Sequence, residues 1–142
     1  ALKGANLQGD EVVYDLYCGT GTIALFMARQ ARQVYGFELI AGAVKNARQN
    51  ATAQGIENVE FIKGDLKDVL SQTTARIEPA DVILVDPPRA GLHQHVVDEI
   101  RKVGPQRLVY VSCNPATLAR DLRLFCETDY QLQNIQPVDM FP

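Results

Sequence analysis

Apolar residues in this chain come in short runs of two alternating kinds. "EVVYDLYC" (11–18) is a compact apolar stretch that stops at Gly-Thr-Gly, whereas "TIALFMARQA" (22–31) spaces its apolar side at Ile23, Phe26, Met27 and Ala31. The first pattern predicts a strand and the second a helix, joined by a tight turn. The same succession returns in "QVYGFEL" before "AGAVKNARQNATA", "VEFIKGD" before "LKDVLSQ", "ADVILVDPP" before "QHVVDEIRKV", and "QRLVYVSCN" before "ATLARDLRLFC". A sixth strand is predicted over "YQLQNIQPVDMF" (130–141). The strands do not alternate strictly between apolar and polar positions, as expected where helices cover both faces of a sheet. The pattern predicts an α/β fold, a doubly wound and mostly parallel sheet. With 142 residues and 46% apolar content, residues 1–142 are expected to build one core and one domain.

Composition narrows the setting. Lys and Arg number 14 against 17 Asp and Glu, a formal charge of -3, so a polyanion would have to be met by a local patch. Three cysteines, at 18, 113 and 126, form neither a disulfide framework nor a C-x-x-C pair, which favours a reducing compartment. No apolar run is long enough to cross a bilayer and no signal-peptide pattern opens the chain. A soluble, cytoplasmic protein without a membrane partner is expected.

In a doubly wound sheet, ligands collect beyond the carboxyl ends of the strands, and the unusual residues of this chain fall there. Gly19 and Gly21 occupy the first strand-to-helix turn, where missing Cβ atoms permit tight turning and close approach of a ligand. The third glycine of the dinucleotide fingerprint is replaced by Ala24, so a nucleoside cofactor and a bare structural turn both remain open. Glu38 ends the second strand, where a carboxylate can accept from both ribose hydroxyls, and Asp65 ends the third, near the place of an adenine ring. No phosphate-loop lysine motif is present, which argues against a nucleoside triphosphate. "DPPRAG" delivers Asp86 into two prolines that force a stiff exit, with Arg89 offering a guanidinium to a phosphate or base edge. Cys113 follows the fifth strand, and Asn114 and Pro115 turn the chain into a helix. A thiolate placed there suits addition to C6 of a pyrimidine, which makes C5 nucleophilic.

Taken together, "DLYCGTGTIAL", "GFELIAGAVKNARQNA", "DPPRAGL", "YVSCNPATLARDL" and "VDMFP" resemble, in order and over nearly the whole chain, the methyltransferase domain of the RNA 5-methyluridine methyltransferases. The resemblance implies a Rossmann-like methyltransferase fold, S-adenosyl-L-methionine as cofactor and RNA as partner. The "SCNPATLARDL" form leans toward ribosomal over transfer RNA. It further implies Cys113 as the nucleophile, Glu38 as the ribose ligand, Asp65 near the adenine, and Tyr17 to Gly21 around the cofactor's amino-acid end. Asp86 with Pro87 would wall the donor from the target base, and Arg89 and Asn114 would line the base and RNA side.

The family also carries an upstream cofactor segment, an RNA-binding β-barrel and a terminal strand with a general-base glutamate. None of these is found in the 142 residues, and neither Glu99 nor Glu127 stands in the base's place. The chain therefore reads as a core truncated at both ends, inactive alone, with an exposed sheet edge open to self-association. Two other readings remain: a methyltransferase of amino or exocyclic nitrogens using the Asp-Pro-Pro loop, and a non-catalytic RNA-binding scaffold. Cys18 and Cys126 are expected to be packed thiols, and His93 with His95 lack the further ligands of a metal site. Arg101, Arg107, Arg120 and Arg123 are read either as a solvated face or as phosphate contacts.

Overall fold

Successive side chains of a strand point to opposite faces, so a strand that is apolar throughout needs cover on both. The computed structural model, which describes residues 2–128 and 130–138, meets this need with a five-stranded sheet between two helical layers. The strands β1 (Val12–Leu16), β2 (Gln33–Glu38), β3 (Val59–Lys63), β4 (Val82–Val85) and β5 (Arg107–Tyr110) lie in the order β3-β2-β1-β4-β5. Every neighbouring pair is parallel. The helices are α1 (Leu2–Ala5), α2 (Thr22–Ala28), α3 (Ala41–Ala53), α4 (Leu66–Thr73), α5 (Gln94–Val103) and α6 (Pro115–Cys126).

Two cores result, one on each face. Val13, Val34, Val82 and Leu84 pack with Ala5 of α1, Ala24 and Met27 of α2, and Val44 and Ala47 of α3. Tyr14, Leu16, Phe37, Ile83 and Val85 pack with Leu66 and Leu70 of α4, Val96 and Ile100 of α5, and Phe125 of α6. An ion pair ties the entry of β1 to that of β5, Arg107 Nη2 donating to Glu11 Oε1 at 2.8 Å. Burial acts to raise the Glu11 carboxyl. Hydrogen bonds from Gln8, Arg107 and Gly9 outweigh it and hold the group down at about 2.

The architecture and the interiors of the five main helices follow the apolar pattern, with several departures. Residues 130–138 form no strand, and 139–141 of that predicted element lie outside the described residues. The segment sets Leu132 and Ile135, three residues apart and so on opposite faces of a strand, among glutamines and asparagine and then meets Pro137, so neither face is continuously apolar and one ladder donor is missing. Among the described residues β5 pairs only with β4. Phe26 is 53% exposed, because α2 buries Ala24, Leu25, Met27 and Ala28 instead. Cys126 is exposed rather than packed. The buried face of α6 runs through Asp121 and Phe125, one position short of the apolar series Leu118, Leu122 and Cys126. Arg107 belongs to the amino end of the sheet, away from any strand-end site. The four-residue α1 has no forerunner in the sequence pattern.

One charged residue interrupts the apolar strand at the centre. Asp15 is 1% exposed, and neither of its carboxyl oxygens has a hydrogen bond of normal geometry. Burial, reinforced by the nearby Asp86 carboxyl, pushes the group up to about 8, while the Ala24 amide pulls more weakly the other way. At neutral pH the folded chain therefore holds Asp15 protonated, whereas the unfolded chain ionises it above about pH 4. The folded state binds the extra proton in this window, so stability falls as pH rises from about 4 to about 8. Asp15→Asn, nearly isosteric and always neutral, is expected to exceed the wild type in stability by a margin that widens across the window. Thermal melts near about pH 5 and about pH 8 check this, and equal margins at both would refute a protonated Asp15.

Candidate functional site

The chain runs outward from β1 to β3 and then returns to β4 and β5 on the other side. The reversal between β1 and β4 opens a crevice at the carboxyl ends of the strands. Backbone bonds keep these ends level: Cys18 N–H donates to Phe37 O at 3.0 Å, Gly64 N–H to Glu38 O at 3.0 Å, and Val111 N–H to Val85 O at 2.8 Å. The turn 17–21, Glu38, Asp65, Asp86 and the segment 111–114 are thereby gathered along one rim.

The turn after β1 is tightly constrained. Tyr17, Gly19 and Gly21 have φ of 66°, 56° and 83°, which only the glycines adopt without strain. The two glycines do different work. A Cβ on Gly19 would meet nothing within 4 Å, so this backbone is open to a ligand. A Cβ on Gly21 would lie 2.7 Å from the Phe61 ring, and one on Gly36 would meet the same ring at 2.7 Å. Gly21 thus also serves packing inside the protein, a task that the sequence pattern did not show. Cys18 is buried, and its thiol is pushed up by that burial and by the carboxyls of Asp15 and Glu38.

Glu38 closes over this turn. Its Oε2 accepts from Gly19 N–H at 3.0 Å and its Oε1 from Ile40 N–H at 2.8 Å. An ionised carboxylate has about four acceptor sites, so each oxygen retains capacity for one hydroxyl of a ribose diol. The residues present therefore fit the sugar of a nucleoside cofactor. Asp65 caps α4, with Oδ1 accepting from Lys67 N–H at 3.1 Å. The Tyr17 phenol is pushed up by burial and by Asp65 and Asp121. Leu39 and Ile40, directly after Glu38, are large apolar side chains left exposed beside the rim, which sequence reading passed over.

Beyond β4 the rim changes character. Asp86 stands at the surface, though partial burial of its carboxyl raises it above the usual range. Pro87 is buried, Arg89 is exposed, and Gly91 N–H donates to Pro88 O at 2.8 Å to close a turn. Cys113 is exposed between two engaged neighbours. Asn114 N–H donates to Ser112 Oγ at 3.0 Å, and the Ser112 hydroxyl donates to Asn114 O at 3.0 Å. The side chain of Asn114, expected on the base side, is occupied within the protein: Oδ1 caps α6 by accepting from Ala116 N–H, and Nδ2 donates to Arg89 O at 3.2 Å. Arg123 pairs with Glu127 on the surface, and Arg120 turns inward to Asp121. His93 Nδ1 accepts from His95 N–H and caps α5. The hollows of about 250 and about 390 Å³ on α3–β3 and beside α4–α5 include none of the expected site residues.

Comparison with known proteins gives this rim a context. The model of the family described as tRNA (uracil-5-)-methyltransferase matches residues 2–142. An uncharacterized RNA methyltransferase of Bacteroides thetaiotaomicron is 55% identical over 143 residues, and one of Halalkalibacterium halodurans is 51% identical over 142. Each match takes in 100% of this chain and 31% of the relative. The chain thus spans less than a third of the length of these relatives. The tRNA (uracil-54, C5)-methyltransferase of Pyrococcus abyssi, solved with S-adenosyl-L-homocysteine, is 34% identical with a TM-score of 0.71, over 83% of this chain and 28% of its own. The sheet order, the glycine turn seated on Glu38 and a family match across nearly every residue agree: the chain belongs to the tRNA (uracil-5-)-methyltransferase family.

Proposed function

We propose that this chain is the methyl-transferring core of an S-adenosyl-L-methionine-dependent enzyme that methylates C5 of a uridine in RNA through a covalent adduct with Cys113. The observation that carries this reading is the exposed thiol of Cys113, set between a capped helix and the Asp86–Arg89 loop on the rim that also holds Glu38. The substrate class and cofactor are supported by the family match and by the cofactor product bound to the Pyrococcus relative. Ribosomal rather than transfer RNA is the finer part of the reading, and it rests on the form of the Ser112–Leu122 segment alone.

The chemistry assigns distinct tasks to the residues. Glu38 accepts from the ribose hydroxyls and, through Gly19 N–H, fixes the turn that surrounds the amino-acid end. Asp65 borders the adenine side and Tyr17 opens the turn at the amino-acid end, while Asp86 and Pro87 separate donor from base. S-adenosyl-L-methionine, when bound, supplies an electrophilic methyl group. The uridine must leave its stack to reach the rim, and Arg89 meets its phosphate or base edge. The Cys113 thiolate forms a bond to C6, the C5–C6 electron pair moves into the C4 carbonyl, and C5 of the resulting enolate takes the methyl group. A base then removes the C5 proton, the C5–C6 double bond re-forms and the thiolate leaves.

Two measurements test this on the intact protein that contains the chain. Glu38→Ala is expected to weaken S-adenosyl-L-homocysteine binding by about 1.5–3 kcal/mol in titration calorimetry, since hydrogen bonds to a charged acceptor are lost. Equal affinity would remove Glu38 from the ribose. With RNA carrying 5-fluorouridine, whose C5 fluorine cannot depart as a proton does, the wild type is expected to form a stable protein–RNA adduct by mass spectrometry. Cys113→Ala is expected to form none while binding the cofactor product as before. Absence of an adduct in the wild type would instead favour an amine methyltransferase.

A further inference from the structure

Asp121 looks in the sequence like one more surface charge, yet it is 0% exposed at the middle of α6. Its Oδ2 accepts from Leu92 N–H at 2.7 Å and from the Tyr110 hydroxyl at 2.5 Å. Its Oδ1 accepts from Arg120 Nε at 2.8 Å, and Arg120 Nη2 reaches on to Ala90 O at 2.9 Å and Leu92 O at 3.2 Å. One turn of helix earlier, Thr117 Oγ1 and Asn114 Nδ2 both donate to Arg89 O at 3.2 Å. Gly91 permits this contact, with φ of 78° and a hypothetical Cβ 2.5 Å from Asp121 Oδ2. These bonds join only three segments: the loop after β4, the end of β5, and the helix that begins beside Cys113.

We propose that Asp121 is a positioning residue for methyl transfer: its buried carboxylate clamps the Asp86–Leu92 loop onto α6 and so fixes Cys113 relative to that loop. The inference rests on the reading of Cys113 as nucleophile and adds to it the group that holds the nucleophile and the loop at a set separation. Burial of an ionised carboxylate is costly, and three donors converging on one group offset that cost. Closing the loop alone would need no charge, because Thr117 and Asn114 already hold it at Arg89. The charge also engages β5 through Tyr110, immediately before the segment 111–114, and its hydrogen bond joins burial in pushing that phenol up. Misplacement of reacting groups by even about 1 Å lowers rates by about 100-fold, so a clamp of this kind is read out in rate rather than in cofactor affinity.

The test compares Asp121→Asn with Arg120→Lys, which keeps the positive charge, leaves Asp121 in place and removes the fork that reaches Ala90 and Leu92. Val34→Ala, in the opposite core, serves as a control for lost stability. In the intact protein, amide exchange at Leu92 and Asn114 is expected to accelerate together by about tenfold in both test variants. The rate of adduct formation with saturating 5-fluorouridine RNA is expected to fall by about 10- to 100-fold, with S-adenosyl-L-homocysteine affinity within about twofold of wild type. Val34→Ala is expected to lower the melting temperature while changing neither readout. Faster exchange at Leu92 with an unchanged adduct rate, or with unchanged exchange at Asn114, would overturn the clamp. A wild type that forms no adduct would remove the uracil reading, and coupled exchange at Leu92 and Asn114 would still support the clamp.

Discussion

A strand with neighbours on both edges and helices on both faces leaves no place for polar side chains along its length. β1 and β4 are such strands, buried at every position. Polar groups are driven to where the strands stop, and parallel pairing decides how those stops line up. Leu16 pairs with Phe37 and with Val85, and Val85 with Tyr110, so Tyr17, Glu38, Asp86 and Val111 emerge side by side at the strand spacing of about 4.8 Å. The functional rim is a product of that register. Asp15 is the one acidic residue within β1 and β4, and it is held neutral rather than paired.

The two halves of the rim are built by different physics. On the β2–β3 side the glycine turn is held by backbone geometry, by a carboxylate that accepts two amides, and by contact of glycines with an aromatic ring. On the β4–β5 side side-chain hydrogen bonds dominate, from the Asn114 cap to the carboxylate of Asp121. The first arrangement shapes a surface for a neutral sugar and ring. The second holds two stiff segments at fixed separation, as a bond-forming step between two bound partners needs.

The order of strands and helices was legible because long elements carry redundant signals. α3 and α5 occupy the runs that their apolar spacing marks, and Asn114 and Pro115 announce the start of α6. Glu38 and Cys113 were legible as candidates because they end strands. What escaped depends on partners distant in the chain. Glu11 finds Arg107 from 96 residues away, and Asp121 finds Leu92 from 29. A buried carboxylate also shifts the inward face of a helix, and this hid the exposure of Cys126. Scattered apolar residues in 130–138 suggest a strand, yet Leu132, Ile135 and Val138 remain exposed, and no ladder forms there.

The Phe61 ring links the turn to the rim of the sheet. It comes from β3, an edge strand in which only Phe61 itself is fully covered. Local opening in proteins starts where few buried contacts oppose it, and an edge strand is such a place. Each time β3 lifts, the ring withdraws from beneath Gly21 and Gly36 and leaves only the small Ala47 methyl beside the first and the Cys18 thiol beside the second. The turn after β1, though built at the centre of the sheet, therefore draws part of its packing from the outermost strand, and a molecule that braces the turn also slows fraying at the sheet's margin.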